Sequence, residues 1–436
     1  MNPSLHDVAT AETLLVVSDF DGTLAGIVPD PSAVPVHRGG LGALARLAGL
    51  PGTTVAILSG RGREDLRRVC PLRAPVVLAG SHGAESGEHG VTLTDEMAAA
   101  LESVAAELDS LTRSDGSAYV ERKPFQTVFH VAPLAARDPA AAAALLEQAR
   151  LVYAHGTTVA GGKNIVEFSA ATVTKGTWIA AERAHVGAGR TVFVGDDVTD
   201  ENGFAALGPD DLGVKVGDGE TLAAVRVPDR DAAAEWLTQL AAARAAHTGI
   251  PSDRAARCQA VAAGFTAVAV QVTDWEAQTP CEQWLARDVV AHLTHWYPHN
   301  LARAGVDLHL TVDAQADPLG AWYELARAAQ EVLEDPARAQ AVYAAGPDEG
   351  KTVEQVTNGY FIPDVFMHTW DLARSQGMRV GLDPDFARRQ LRGLQGLGEA
   401  LQDGGRFAEP REVPEGASAG DELMAFSGRD PEFGLR

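Results

Sequence analysis

Asp19 and Asp21 stand one residue apart, directly after the apolar run Leu14-Leu15-Val16-Val17-Ser18. Carboxylates at i and i+2 of an extended segment project to the same side, repel each other and invite a divalent cation. Such a pair suits phosphoryl transfer through an aspartyl-phosphate: one carboxylate attacks phosphorus, the other handles the leaving-group proton. A strand followed by an Asp-Gly turn is the plainer reading, and it explains this motif alone. A second apolar run, Val55 to Leu58, ends in Ser59-Gly60-Arg61, whose hydroxyl and nearby amides can hold a phosphate oxygen. A third, Thr191 to Gly195, ends in the cluster Asp196, Asp197, Asp200 and Glu201. Acids so close are costly together unless Mg²⁺ neutralises them. An acidic helix N-terminus accounts for Asp200 and Glu201, but not for two acids at the strand end. Lys175 offers a cation to offset the phosphate and the attacking carboxylate.

Positioning these groups requires a scaffold that brings several strand ends together. Apolar strands at 14–18, 53–58, 75–79 and 191–195 alternate with helical stretches at 38–49, 62–69 and 177–186. That alternation predicts an α/β fold with a doubly wound parallel sheet, which places its chemistry at C-terminal strand ends. Residues 86–165 interrupt it with a helix (94–113), two strands (117–121, 126–132), an alanine-rich helix (137–154) and two more strands (157–160, 164–168). This is an inserted α+β cap between two core segments, 1–85 and 166–247. A cap answers a need: phosphate and metal are common to every phosphate ester, so specificity takes a second surface that also excludes water. Gly249-Ile250-Pro251 marks a linker at 248–252. Residues 253–402 then read as amphipathic helices, and 403–436 as a partly disordered tail in which Leu423 to Gly428 could dock as a short helix.

Composition narrows the classes. With 59 acidic against 36 basic residues, net charge is −23, which argues against nucleic-acid or anionic-membrane partners. An anionic substrate then needs a locally basic site, for which Arg61, Arg122, Lys123, Lys163 and Lys175 are available. The three cysteines, Cys70, Cys258 and Cys281, have no zinc spacing and cannot all pair, so a reducing cytosol fits. No apolar run is long enough to span a bilayer, and the N-terminus lacks a signal-peptide core; the expected location is cytoplasmic.

Taken in order, Asp19-Phe-Asp-Gly-Thr-Leu24, Leu58-Ser-Gly-Arg61, Gly80-Ser-His-Gly-Ala-Glu85, Glu121-Arg-Lys123, Gly162-Lys-Asn-Ile-Val-Glu167, Thr174-Lys-Gly176 and Gly195-Asp-Asp-Val-Thr-Asp-Glu201 resemble the haloacid-dehalogenase superfamily of phosphohydrolases. Within it they resemble the trehalose-6-phosphate phosphatases, over roughly residues 10–245. The resemblance implies Asp19 as nucleophile, Asp21 as general acid/base, and Ser59 and Lys175 on the transferring phosphoryl group, with Gly22, Thr23, Gly60 and Arg61 against the substrate. It implies Mg²⁺ on Asp19, Asp196 and the Asp21 carbonyl, supported by Asp197 and Asp200. It assigns Glu121, Lys123, Lys163 and Glu167 of the cap to sugar hydroxyls; cross-strand ion pairs on a solvated face are the alternative. Other sugar phosphates, of sucrose, glucosylglycerol or mannosylglycerate, stay open as substrates.

In the second half, Thr279-Pro-Cys-Glu-Gln-Trp284, Arg287-Asp-Val-Val-Ala-His-Leu293 and Phe366-Met-His-Thr-Trp-Asp-Leu-Ala373 resemble the metal-binding four-helix bundle of mycothiol-dependent maleylpyruvate isomerases and DinB-like proteins. This implies an all-α domain in which His292, Asp364 and His368 hold a metal; an i,i+4 pair shares one helix face, and such an N/O set suits Zn²⁺ or Ni²⁺. His295 and His299 share the His292 helix and compete locally. Hydrogen-bonded core histidines are the alternative, and Cys281 reads as packing or capping. The resemblance also raises a low-molecular-weight thiol as partner, a thiol-dependent transferase or isomerase activity, and a structural or oligomer-forming role for this domain.

Overall fold

The computed structural model describes residues 3–435 except 29, 31, 88, 163 and 398–407. The chain divides into two compact units, Met1–His37 with Thr54–Ala233, and Arg38–Thr53 with Ala234–Arg436. Ten strands are described: β1 (Leu14–Ser18), β2 (Thr53–Leu58), β3 (Val77–Ala79), β4 (Tyr119–Arg122), β5 (Gln126–His130), β6 (Thr158–Gly162), β7 (Ile165–Ser169), β8 (Arg190–Gly195), β9 (Leu212–Val216) and β10 (Val225–Val227).

In the first unit a six-stranded sheet runs in the order β10-β9-β8-β1-β2-β3. β1 pairs parallel to β8 in register Leu14↔Arg190 to Ser18↔Val194, and β2 pairs parallel to β3. Every residue of β1 is buried, as expected where helices cover both faces and the strand reads as an unbroken apolar run. β9 and β10 extend the sheet beyond the strands anticipated from sequence. The insert forms a separate antiparallel sheet, β4-β5-β7-β6, whose inner face packs Phe129, Val166 and Phe168 against Val104, Leu108 and Leu145 of the helices Asp95–Asp109 and Pro139–Arg150. Because side chains alternate across a strand, Glu121, Val128 and Glu167, which are register partners in turn, lie on the opposite face.

In the second unit the helices Arg254–Ala269, Ala286–Ala302, Pro318–Glu334 and Ile362–Ser375 share one core containing Phe265, Leu293, Trp322 and Trp370. The boundaries differ from those expected. The helix Arg38–Ala48, assigned from sequence to the phosphatase core, belongs here and packs on Arg254–Ala269. Arg46 donates to Ala260 O at 2.9 Å, and Arg38 donates to Val270 O and Val272 O. The helix Arg230–Thr248 runs through the boundary, which therefore falls before 248–252. Of the expected partly disordered tail, 403–407 lie outside the described residues, 408–418 form no helix or strand and are mostly exposed, and the short helix anticipated near Leu423 is found. The helix Ala419–Phe426 buries Leu423 and Met424 in the same core, and Asp421 accepts from Trp370 and Arg374. No described helix is long and apolar enough to cross a membrane.

Candidate active site

Asp19 follows the last residue of β1, and its amide donates to Val194 O of β8 at 2.8 Å, which fixes it at the C-terminal edge of the sheet. Its carboxylate is nearly inaccessible and accepts from Lys175 Nζ at 2.6 Å. Lys175 opens the helix Lys175–Val186, capped by Thr174 and Thr177. A cation in a first helical turn opposes the dipole, so Lys175 depends on its carboxylates. The second of these is Asp200, also at 2.6 Å. The other oxygen of Asp200 accepts from the amides of Asp196 and Asp197, each at 2.8 Å.

Asp19, Asp196 and Asp200 can each present an oxygen within 4.8 Å of the others. Three carboxylates share one ammonium, and the excess charge appears as shifted affinities for protons. Burial pushes Asp19 well above the usual carboxylate range, with Lys175 pulling against it and Asp200 and Asp196 adding to it. Burial and the Asp200 charge push Asp196 up to about 6. Lys175 stays charged: Asp19 and Asp200 raise it against its burial. An all-oxygen pocket in which Asp19, Asp196 and Asp200 outnumber Lys175 and Lys215 fits a hard divalent cation such as Mg²⁺. Since Asp200 has committed both oxygens, the carboxylates left to bind the cation are Asp19 and Asp196.

Four residues make contacts other than those expected. Asp197 turns outward and caps the following turn through Val198 N at 2.7 Å, so it is not part of the cluster. Thr23 donates to Asp196 Oδ1 at 3.1 Å, and Gly22 has φ +87° with any Cβ falling 2.1 Å from Asp196 Oδ2. Both position Asp196. Arg61, expected against the substrate, grips Asp21 with two hydrogen bonds of 2.6 and 2.7 Å and also reaches Asp65 at 2.8 Å. A planar guanidinium matches a carboxylate better than any other partner at hand.

Ser59, after β2, is buried, and its Oγ accepts from Arg61 N at 3.1 Å, leaving its proton to donate. Above it, Lys123 Nζ reaches Gly60 O at 3.3 Å and lies 3.6 Å from Glu121. Glu121 pairs with His130 at 2.8 Å, and Glu167 accepts from Gln126 at 3.0 Å. Lys163 lies outside the described residues.

The second unit brings its expected triad together. Asp364 lies 3.0 Å from His292 Nε2 and 3.4 Å from His368 Nε2, and accepts from Trp296 at 2.9 Å. His295 and His299 are exposed and stand outside this group. Asp371, Arg429 and Trp284 were missed by sequence reasoning. His368 Nδ1 lies 2.9 Å from buried Asp371, which Arg429 and the Cys281 thiol also reach, at 3.2 and 3.3 Å. The Asp371 signal, an acid three residues after His368, was available; Arg429, distant in sequence, had none. Although burial works against a charged ring, Asp364 and Asp371 hold His368 up at about 10. A cavity of about 780 Å³ lined by Trp284, Asp288, His292, His295 and Asp313 lies beside the triad.

Residues 17–238 match the trehalose-phosphatase family. A trehalose-phosphate phosphatase of Mycobacterium tuberculosis H37Rv is 33% identical over 257 residues, covering 54% of this chain and 63% of its own length. The trehalose-6-phosphate phosphatase of Escherichia coli K12 is 33% identical over 238 residues, covering 52% of this chain and 85% of its own length. The C-terminal domain of a Candida albicans trehalose-6-phosphate phosphatase aligns with TM-score 0.48 at 21% identity, over 56% of this chain and 98% of that one. This chain thus spans somewhat under two thirds of the mycobacterial relatives it matches.

Proposed function

The chain belongs to the trehalose-phosphatase family, and from that membership we propose that it hydrolyses trehalose 6-phosphate to trehalose and phosphate through an aspartyl-phosphate. One observation carries the proposal: the buried Asp19–Lys175–Asp200 chain beside Asp196 at the sheet's C-terminal edge. Asp19 attacks phosphorus, the phosphorus–sugar oxygen bond breaks, and Asp21 gives its proton to the departing oxygen. Asp21 then takes a proton from the water that cleaves the aspartyl-phosphate, restoring Asp19 and releasing phosphate. Lys175 aims Asp19 and works against its protonation, and Ser59 donates to a phosphoryl oxygen. Arg61 grips Asp21, so the guanidinium must swing away and Asp21 must take a proton from solvent water before it can donate to the departing oxygen. Bound by Asp19 and Asp196, Mg²⁺ supplies charge neutralisation and a template for the phosphoryl oxygens.

Glu121, Lys123, Lys163 and Glu167 are assigned to the sugar. Support comes from the Glu121–Glu167 face and from Lys123, which reaches across to the Gly60 loop. The test is phosphate release from a panel of sugar phosphates. Trehalose 6-phosphate should lead it, and another sugar phosphate in the lead moves the assignment to that sugar.

For the second unit we propose a four-helix bundle of the DinB-like kind, built on Arg254–Ala269, Ala286–Ala302, Pro318–Glu334 and Ile362–Ser375. His292, Asp364 and His368 would hold Zn²⁺ or Ni²⁺ there. The convergence of His292 and His368 on Asp364 favours this reading. Held by these residues, such an ion would supply Lewis-acid chemistry beside the adjoining cavity. Elemental analysis of the purified chain decides it.

A further inference from the structure

The motif Gly80-Ser-His-Gly-Ala-Glu85 has no role in the scheme above, yet its backbone is strained. Ser81 and His82 both take positive φ, at 49° and 55°. Non-glycine residues persist in this region only where the surroundings enforce it, most often at functional sites. Here the enforcing partner is the phosphate loop: Ser81 N donates to Arg61 O at 2.7 Å, and His82 N donates to Ser59 O at 2.9 Å. Ser81 Oγ also donates to Glu85 at 2.5 Å.

The strained backbone sets the His82 ring in one place. It packs on Gly60 so closely that a Cβ there would fall 2.8 Å from its Cε1. Its Nε2 lies 3.8 Å from Glu167 Oε1 of the cap. The same oxygen accepts from Gln126 Nε2 at 3.0 Å, and Gln126 is itself buried. Gln126 donates to this oxygen while the His82 ring stands beside it at ion-pair distance, and Oε2 has no hydrogen bond to another described residue. A carboxylate held by one oxygen presents the other in a fixed direction. Gly60 in turn is contacted on two sides, by the His82 ring of the core and by the Lys123 ammonium of the cap on its carbonyl.

We propose that His82 is a positioning residue for sugar recognition. Together with Gln126 it fixes Glu167 so that Oε2 meets a sugar hydroxyl, and through Gly60 it ties that contact to the loop that holds phosphate. This rests on the sugar-phosphatase reading and specifies which residues join its two halves. The phosphate loop and the sugar contact then move as one body, so a substrate lacking the sugar forgoes the coupling.

His82→Asn is the informative variant, because asparagine tolerates positive φ better than other side chains and is too short to reach Glu167. The measurement is the ratio of kcat/KM on trehalose 6-phosphate to kcat/KM on p-nitrophenyl phosphate. His82→Asn should lower that ratio about 10–100-fold, the cost of misplacing a positioning group by about an ångström, and His82→Gln should recover part of it. Glu167→Ala should lower the ratio as well, and the double variant should lose no more than Glu167→Ala alone, since one residue acts through the other. An unchanged ratio, or additive losses, overturns the proposal. If the wild-type chain prefers a different sugar phosphate, only the trehalose assignment falls, and the same ratio is read on that substrate.

Discussion

Asp200 commits one oxygen to Lys175 and the other to two backbone amides, so a residue that touches no substrate keeps both the ammonium and the Asp196 loop in place. Asp19 has no such substitute. Asp19→Asn should abolish phosphate release from every substrate while the far-ultraviolet circular dichroism stays native, because an amide is no nucleophile toward phosphorus; near-normal turnover would end the covalent scheme. Asp21→Asn should cost about 10²–10⁴-fold on a sugar phosphate, and less on an aryl phosphate whose leaving group needs no proton. The crowded carboxylates also set a pH dependence. Asp196, held up at about 6 against an ordinary 3.8, carries a repulsion that grows as pH rises through that range, and a bound cation relieves it. The rise in Tm on adding Mg²⁺ should therefore be full above pH 7 and shrink as pH falls through about 6. A shift that grows on acidification would contradict the cluster. Asp19, Asp21, Ser59 and Lys175 were legible in sequence because each sits at the end of an apolar run or in a short motif. The Arg61 grip on Asp21 and the Arg429 contact with Asp371 were not, since their partners are 40 and 58 residues away. Distance along the chain hides such pairs even when both members are plain to see.

Alternation made the cap legible at the scale of elements: in β7, Val166 and Phe168 face its helices while Glu167 faces away. The doubly wound order was legible for the same reason, from apolar runs spaced by helices. β9 and β10 escaped because Leu212–Val216 carries Gly213 and Lys215, and Val225–Val227 is only three residues long. The partner of the helix Arg38–Ala48 was also hidden. Its packing face is set by small residues and arginines, which carry no amphipathic signal. At Gly49, just beyond the helix, an added Cβ would lie 2.1 Å from Ala263 Cβ. Gly49→Ala should therefore destabilise the second unit by about 1–3 kcal/mol through overpacking. Gly87→Ala, where a Cβ meets nothing within 4 Å, is the control and should be neutral. Every tryptophan except Trp178 lies in the second unit, so the denaturation midpoint followed by tryptophan fluorescence reads the difference; equal midpoints would show that this contact gives way freely.

For the molecule as a whole, the metal site proposed in each unit makes a separable forecast. Zn²⁺ in hundredfold excess over its Kd should stabilise the second unit by about 2.7 kcal/mol, and His292→Ala with His368→Ala should remove that response without slowing phosphate release. The metal must displace the proton that His368 holds up to about 10. Apparent affinity should consequently fall about tenfold for each pH unit lost below that value, if one proton leaves per ion. A pH-independent affinity would point to other ligands. The order in which the chain is made adds a constraint of its own. Residues 38–53 leave the ribosome about 200 residues before the helix on which Arg38 and Arg46 find their carbonyl partners. At roughly 5–20 residues per second, that is a wait of roughly 10–40 s, during which the strands on either side of this segment can already fold. Synthesis of this protein therefore includes an interval in which two arginines from its first fifty residues have carbonyl partners not yet translated.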